Sequence, residues 1–264
     1  MLRAVPLAVI TGASSGIGRC IALELAARGY DLVLFARSGD GLDTVAAEIA
    51  ARGGMPVTVV CETVDVSDDA QIIDCWQRLI ARSGVPDILI NNAGFGDLGP
   101  FAAADWTRIE GMVRVNILAL TRFCHLALPL MRQAKRGRIM NVASVAAFAA
   151  GPNMATYFAT KAYVKHFTEA LAVENAGSGV TLTALCPGAT NTEFHKVAGF
   201  RHNHHLFTGP FSSQPEAVAR FAVAALLRGR RVAVFGWHNH LAIALLRIVP
   251  RRWAESVTHS VLRR

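Results

Sequence analysis

The stretch Leu7-Ala8-Val9-Ile10-Thr11-Gly12-Ala13-Ser14-Ser15-Gly16-Ile17-Gly18 decides how this chain folds. Residues 7–10 are a short apolar run of the kind that forms a buried strand. Beyond the glycines, Ile17, Ile21 and Leu25 recur at helical spacing along one stripe, and Gly29 offers a left-handed cap at its end. Glycine permits the positive φ of a tight turn and lets a backbone approach a pyrophosphate closely. The start of the following helix supplies unpaired N–H groups and a favourable dipole for an anion. The spacing is G-x-x-x-G-x-G and departs from the G-x-G-x-x-G dinucleotide fingerprint, so the motif alone is equally an ordinary strand-to-helix turn.

Outward from this stretch the same alternation repeats. Strands are expected at 7–10, 31–36, 57–60, 87–91, 138–143, 180–186 and 232–235, apolar on both faces as strands between two helix layers are. Ser67-Asp68-Asp69 reads as a helix start with acids on the positive end of the dipole. Pro129 is expected to kink or end a long helix that begins near Asp105. Such alternation predicts a doubly wound α/β fold: a seven-stranded parallel Rossmann-type sheet with right-handed crossovers and helices on both faces. Ligands then bind beyond the carboxyl ends of the strands.

With 264 residues, 52% hydrophobic and 17% charged, the chain has the apolar surface that disordered chains lack. Its length suits one catalytic α/β domain, placed at 1–236, with an extension at 237–264. Five cysteines (Cys20, Cys61, Cys75, Cys124, Cys186) are scattered without a CxxC pair, which predicts reduced thiols in a cytoplasmic setting and neither disulfides nor zinc. The opening MLRAVPLAVI imitates a signal peptide but runs into the glycine loop with no cleavage pattern. Residues 139–160 carry no charge, yet Asn141, Ser144, Gly151, Pro152 and Asn153 argue against a membrane span. The formal charge of +8 is concentrated: eight Arg and only Glu255 lie between 228 and 264, a net of +7 that leaves +1 for the rest.

The chemistry sits further along. Tyr157 and Lys161, four apart in a helical stretch, project from one face, and an ammonium beside a phenol stabilises the phenolate. Ser144 ends the preceding strand, where its hydroxyl would hold a carbonyl oxygen beside that phenol. About 20 residues beyond a dinucleotide loop a carboxylate would bind the ribose of NAD. That place holds Ala36 and then Arg37, and a guanidinium binds a 2′-phosphate instead. The alternative for Arg37 is a solvated surface side chain paired with Asp40. Asp65, after the third strand, is placed to accept from an adenine amino group.

The ordered set of motifs resembles the short-chain dehydrogenase/reductase family in its single-domain form. It comprises TGASSGIG at 11–18, Asp65-Val66, Asn91-Asn92-Ala93-Gly94, Asn116 in VRVNILAL, Ser144 in NVASV, YFATK from Tyr157 to Lys161, and Pro187-Gly188 followed by Thr192. The resemblance implies that Tyr157 is the general acid/base, that Lys161 binds the nicotinamide ribose and lowers the Tyr157 pKa, and that Ser144 orients the substrate. Asn116 would support a water linking Lys161 to solvent. The cofactor would lie on Gly12, Ser14, Ser15, Gly16, Ile17 and Gly18, then Asp65, Val66, Asn91, Ala93 and Gly94. Pro187, Gly188 and Thr192 would clamp its nicotinamide end. Ser15 stands where NADP-preferring relatives often carry a basic residue, which leaves Arg37 as the main support for NADP(H) over NAD(H). A homodimer or homotetramer is implied, through the helices before Pro129 and around Tyr157.

The family's specificity loop falls between Gly188 and Pro215, with Phe194, Phe200, Leu206, Phe207 and Phe211. These rings either suit a bulky apolar carbonyl substrate or pack the loop on its own domain. His195, His202, His204 and His205 read as solvated loop residues; no metal site is expected. In the tail, Pro250 opens a helix whose Trp253, Val257 and Val261 form a stripe flanked by Arg. This pattern fits peripheral contact with anionic lipid, a helix packed on a sister subunit, or a cover for the cleft. Nucleic acid is not an expected partner. The rivals to a carbonyl reductase are an NAD-dependent alcohol dehydrogenase of the same family, and a membrane-surface or partner-binding protein that keeps a nucleotide pocket.

Overall fold

The seven expected strands form one parallel sheet in the computed structural model, which describes residues 5–200, 207, 209 and 211–262. Strands β1 (Leu7–Thr11), β2 (Asp31–Ala36), β3 (Val59–Thr63), β4 (Ile88–Asn91), β5 (Gly137–Val142), β6 (Val180–Cys186) and β7 (Val232–Val234) lie in the order β3-β2-β1-β4-β5-β6-β7. The chain builds outward from β1 to β3, then returns to lay β4 on the other side of β1. The carboxyl ends of β1 and β4 therefore open the crevice where such sheets bind ligands.

Period-two alternation along the strands sends side chains to two cores. Ala8 and Ile10 face α1 (Gly16–Ala26), α2 (Gly39–Arg52) and α8 (Pro215–Leu227), through Leu25, Leu42 and Ala222. Leu7 and Val9 face α3 (Asp69–Ser83), α5 (Leu120–Gln133) and α6 (Ala155–Glu174), through Trp76, Phe123 and Val164. The remaining helices are α4 (Trp106–Val113), the short α7 (Phe194–Val197), α9 (Trp237–Ile248) and α10 (Arg251–Val261).

The structure corrects several boundaries. β3 starts two residues later than its apolar run, because pairing with β2 sets its register at Leu32↔Val59. As an edge strand it accommodates Glu62, which pairs with Arg78 and Arg82 at 3.0 and 2.9 Å. Gly29 has φ +78° as expected for a left-handed cap. The cap of α3 is Asp68, whose carboxylate accepts from the Ala70 N–H at 2.9 Å, while Ser67 bonds Asp65 instead. Pro129 does not end its helix. α5 runs on to Gln133, held past the missing N–H by buried Ala127 and Met131.

Residues 139–160 divide into β5, a 3₁₀ turn at Val145–Phe148 and the start of α6. The span Trp106–Gln133 is instead long and apolar enough to cross a membrane by length and composition. Here Phe123, Cys124 and Met131 cover one face of the sheet. Within that span, Arg114–Ala119 is a π-helical stretch joining α4 to α5.

Candidate active site

The glycine loop follows β1 directly. Gly12 and Gly16 take φ of +65° and +55°, which only glycine adopts cheaply. Gly18 is held by space: a Cβ there would lie 2.3 Å from the Gly12 carbonyl oxygen and 2.4 Å from Asn92 Nδ2. Asn92, in turn, donates from Nδ2 to the Thr11 and Gly12 carbonyls at 3.0 and 2.9 Å. Thr11 Oγ1 accepts from the N–H groups of Asn92 and Ala93 at 3.0 and 3.1 Å. These two residues shape the loop, and sequence reasoning did not assign them to the site. Their signal was available in the polar Thr closing an apolar strand and the doubled Asn after β4.

Helix α1 begins at Gly16, and Ser15 makes no side-chain cap hydrogen bond, so its first N–H groups point free at the end of the loop. Ser14 abuts the first turn of α2, where a Cβ on Gly41 would lie 2.9 Å away. Thr192 reaches the loop from the far side, 3.2 Å from a Cβ placed on Gly16. The segment from Pro187, whose carbonyl accepts from the Val145 N–H at 3.0 Å, thus runs from the end of β6 to the loop. Gly188 meets α9, since a Cβ there would lie 2.5 Å from Asn239 Nδ2.

Arg37 leaves the end of β2 exposed, and among the described residues it makes no ion pair with Asp40 or any other acid. Asp65 spends Oδ1 on the Ser67 N–H and hydroxyl, at 2.9 and 2.8 Å, beside buried Val66. Asn91 does not face the crevice: its Nδ2 donates to Asn141 Oδ1 at 2.8 Å, inside the core. Asn141 continues that buried chain to Thr168 at 2.9 Å. Ala93 and Gly94 carry the backbone out along the crevice.

Ser144, Tyr157, Lys161 and Asn116 converge at the ends of β4 and β5. Ser144 follows β5 and accepts from the Ala146 N–H at 3.1 Å. Lys161 is buried and donates from Nζ to the Val142 carbonyl at 2.7 Å, with Nζ 5.9 Å from the centre of the Tyr157 ring. Burial lowers the Lys161 pKa to about 8. Burial likewise pushes the Tyr157 phenol up to about 12, against the pull of the Ser144 hydroxyl. The expectation was a phenol lowered by Lys161; in the fold the loss of water outweighs the Ser144 hydrogen bond, and the phenol is raised.

Asn116 sits in the π-helical stretch. Its Oδ1 accepts from the Phe95 N–H at 3.1 Å; its Nδ2 donates to the Phe95 carbonyl at 2.9 Å and to Thr160 Oγ1 at 3.1 Å. Thr160 donates to the Tyr157 carbonyl at 2.8 Å, so Asn116 joins the crevice loop to the helix that carries Tyr157.

Above these residues lies a third apolar cluster of Leu98, Met154, Ala198, Phe200, Phe207 and Leu262, with Tyr157, Phe158 and Phe194 against it. The Phe194 and Tyr157 rings are 5.3 Å apart. Phe211 is exposed and lies instead on His238, 5.6 Å away. His195 is buried, with Nδ1 2.6 Å from the Thr192 carbonyl and its ring 5.4 Å from Phe207, which corrects its reading as a solvated residue. Leu206, His202, His204, His205, Arg263 and Arg264 lie outside the described residues.

Comparisons with known proteins bear on the family and the fold. A family model described as short chain dehydrogenase matches residues 6–200. Probable oxidoreductase EphD of Mycobacterium tuberculosis is 36% identical over 195 residues, 74% of this chain and 32% of that protein. The chain therefore spans about a third of the length of the first curated relatives it matches. Among solved structures, a short-chain dehydrogenase from Sphingobium yanoikuyae in complex with NADPH superposes with a TM-score of 0.81 at 32% identity, over 94% of this chain and 97% of that one. A bulky-bulky ketone specific alcohol dehydrogenase from Comamonas testosteroni gives a TM-score of 0.77 at 29% identity, over 93% and 94% of the two chains.

Proposed function

The chain belongs to the short-chain dehydrogenase family, and on that premise we propose that it is an NADP(H)-dependent oxidoreductase interconverting a bulky apolar carbonyl compound and its alcohol. The observation that carries this reading is the convergence of Ser144, Tyr157 and Lys161 under the aromatic cluster, next to an uncapped helix start. The residues fit a dinucleotide. Gly12, Gly16 and Gly18 let the loop pack closely on Ala93, Thr192 and Asn92, which a Cβ would crowd, and the free N–H groups of α1 suit a pyrophosphate. Unpaired Arg37 beside Ala36 suits a 2′-phosphate, which favours NADP(H) over the rival NAD-dependent enzyme. The solved Sphingobium relative is an NADPH complex, which supports the choice.

When bound, the nicotinamide cofactor supplies or accepts the hydride. The chain's own residues manage the oxygen and the proton. Ser144 donates to the carbonyl oxygen and holds it against the Tyr157 hydroxyl. The phenol, protonated at neutral pH, gives its proton to that oxygen as negative charge develops. Lys161 places its ammonium beside the ring, where it steadies the phenolate left behind. Asn116 positions Tyr157 through Thr160 and supports the water that returns the proton by way of Lys161. Residues 237–264 act as an extension of the catalytic domain 1–236. The five free thiols, with burial holding Cys75, Cys124 and Cys186 protonated up to about 12, suit a reducing compartment. Exposed Leu118 and Tyr163 on the long helices provide the faces for homo-oligomer formation.

The test is NADPH consumption against a panel of bulky hydrophobic ketones and aldehydes. Tyr157→Phe lowers kcat by roughly 10²–10⁴-fold while leaving NADPH affinity intact; undiminished turnover sinks the mechanism. Arg37→Ala weakens NADPH by about tenfold or more and NADH hardly at all; an unchanged ratio removes the cofactor assignment.

A further inference from the structure

Arg108 ties the loop after β4 to the short helix α7, beside Tyr157. It lies in the first turn of α4, where Asp105 caps the helix by accepting from the Thr107 N–H at 3.0 Å. A cation in that turn opposes the helix dipole, so α4 itself gains nothing from it. Its partners lie elsewhere. Nε donates to Asp97 Oδ1 at 2.5 Å, and Nη2 donates to the Val197 carbonyl and, at 3.4 Å, to the Gly96 carbonyl. The guanidinium also stands 5.7 Å from the centre of the Phe95 ring. One side chain thus joins α4, residues 95–97 and the end of α7.

Helix α7 has four residues, too few to hold a turn without outside contacts. At its start the Phe194 N–H donates to Thr192 Oγ1 at 3.3 Å. The last carbonyls of a helix lack partners inside it. Here Arg108 takes that of Val197, and the Leu98 N–H takes that of Ala198 at 2.9 Å. A part-exposed Arg–Asp pair contributes little by itself, whereas a charged donor on a helix-end carbonyl is the stronger contact. What these bonds fix is Phe194. Its ring lies 5.3 Å from that of Tyr157, and a Cβ on Gly96 would sit 2.9 Å from Phe194 Cζ and 3.3 Å from Tyr157 Cδ2. Phe194 is therefore lodged between Gly96 and the phenol ring.

We propose that Arg108 is a positioning residue that latches α7, so that Phe194 forms a fixed apolar wall against which a bulky carbonyl substrate is held. The substrate half rests on the oxidoreductase reading above; the latch is read without turnover. The experiment pairs amide hydrogen exchange of the full chain with NADPH kinetics on a bulky diaryl ketone and a small aliphatic aldehyde. In Arg108→Ala the amides of Ala198, Gly199 and Phe200, which bond back into α7, exchange about tenfold faster or more. Other segments and the melting temperature hold. KM for the ketone rises by about tenfold, while its kcat, the aldehyde's KM and NADPH affinity stay as in wild type. Arg108→Lys falls between, because an ammonium keeps the charge but cannot fork to Asp97 and Val197 together. Wild-type exchange at 198–200 in Arg108→Ala overturns the latch, and a general fall in melting temperature assigns Arg108 to stability alone. Faster exchange with an unchanged ketone KM, or an equal rise in KM for both carbonyls, overturns the wall. If the wild type reduces neither compound, the oxidoreductase reading fails and takes the wall with it, while exchange still decides the latch.

Discussion

Lys161 pairs a buried ammonium with one backbone carbonyl, and its titration follows from that position. Its pKa is about 8 in the native protein and roughly 10.4 in an unfolded chain. Between these values the unfolded chain binds a proton that the native state lacks, so this group makes stability rise with pH across the window. Its contribution is complete above the unfolded value and is lost as pH falls through about 8. Lys161→Met removes the term: denaturant unfolding from pH 7 to 10.5 gives a flatter profile than wild type, by roughly 2–3 kcal/mol over the window. Parallel profiles would show that Lys161 is not desolvated as the structure has it. At this scale Ser144, Tyr157 and Lys161 were legible from residue type and spacing. The direction of the Tyr157 shift was not, because desolvation depends on the rings folded over it. The inward turn of Asn91 and the burial of His195 were hidden for the same reason.

Among the elements, the loop between β1 and α1 depends on a strand eighty residues away. Asn92, just after β4, holds the Thr11 and Gly12 carbonyls, and Gly18 leaves its amide room to do so. Gly18→Ala puts a methyl group against a backbone oxygen that has nowhere to move. We expect about 1–3 kcal/mol of destabilisation and a loss of about tenfold or more in NADPH affinity by calorimetric titration. Wild-type affinity would mean the loop shifts without cost. Strand periodicity and the helix stripes revealed nearly every element, since local pattern suffices for them. The exceptions depend on partners: β3 takes its limits from β2, and α5 passes Pro129 because its flanking residues are packed.

At the scale of the molecule, the tail closes back on the catalytic end. Leu262 joins Met154, Phe200 and Phe207 in the cluster beside Tyr157, in line with the cleft-covering alternative that the tail's amphipathic stripe left open. Leu262→Ala loosens this cover and raises KM for a bulky ketone by about tenfold while NADPH affinity holds. An unchanged KM assigns the cluster to packing alone. The charge concentrated between 228 and 264 is likewise divided along the chain, three Arg at the amino end of β7 and five after α9 begins. By itself, the sequence determined the strand and helix alternation, the glycine loop and the Ser-Tyr-Lys set, because each is written in local spacing and residue type. Only the tertiary structure decided which groups lose water, which side chains turn inward, and what the tail covers. Those outcomes rest on contacts between distant segments, and distance in space is not encoded in any single stretch of the chain.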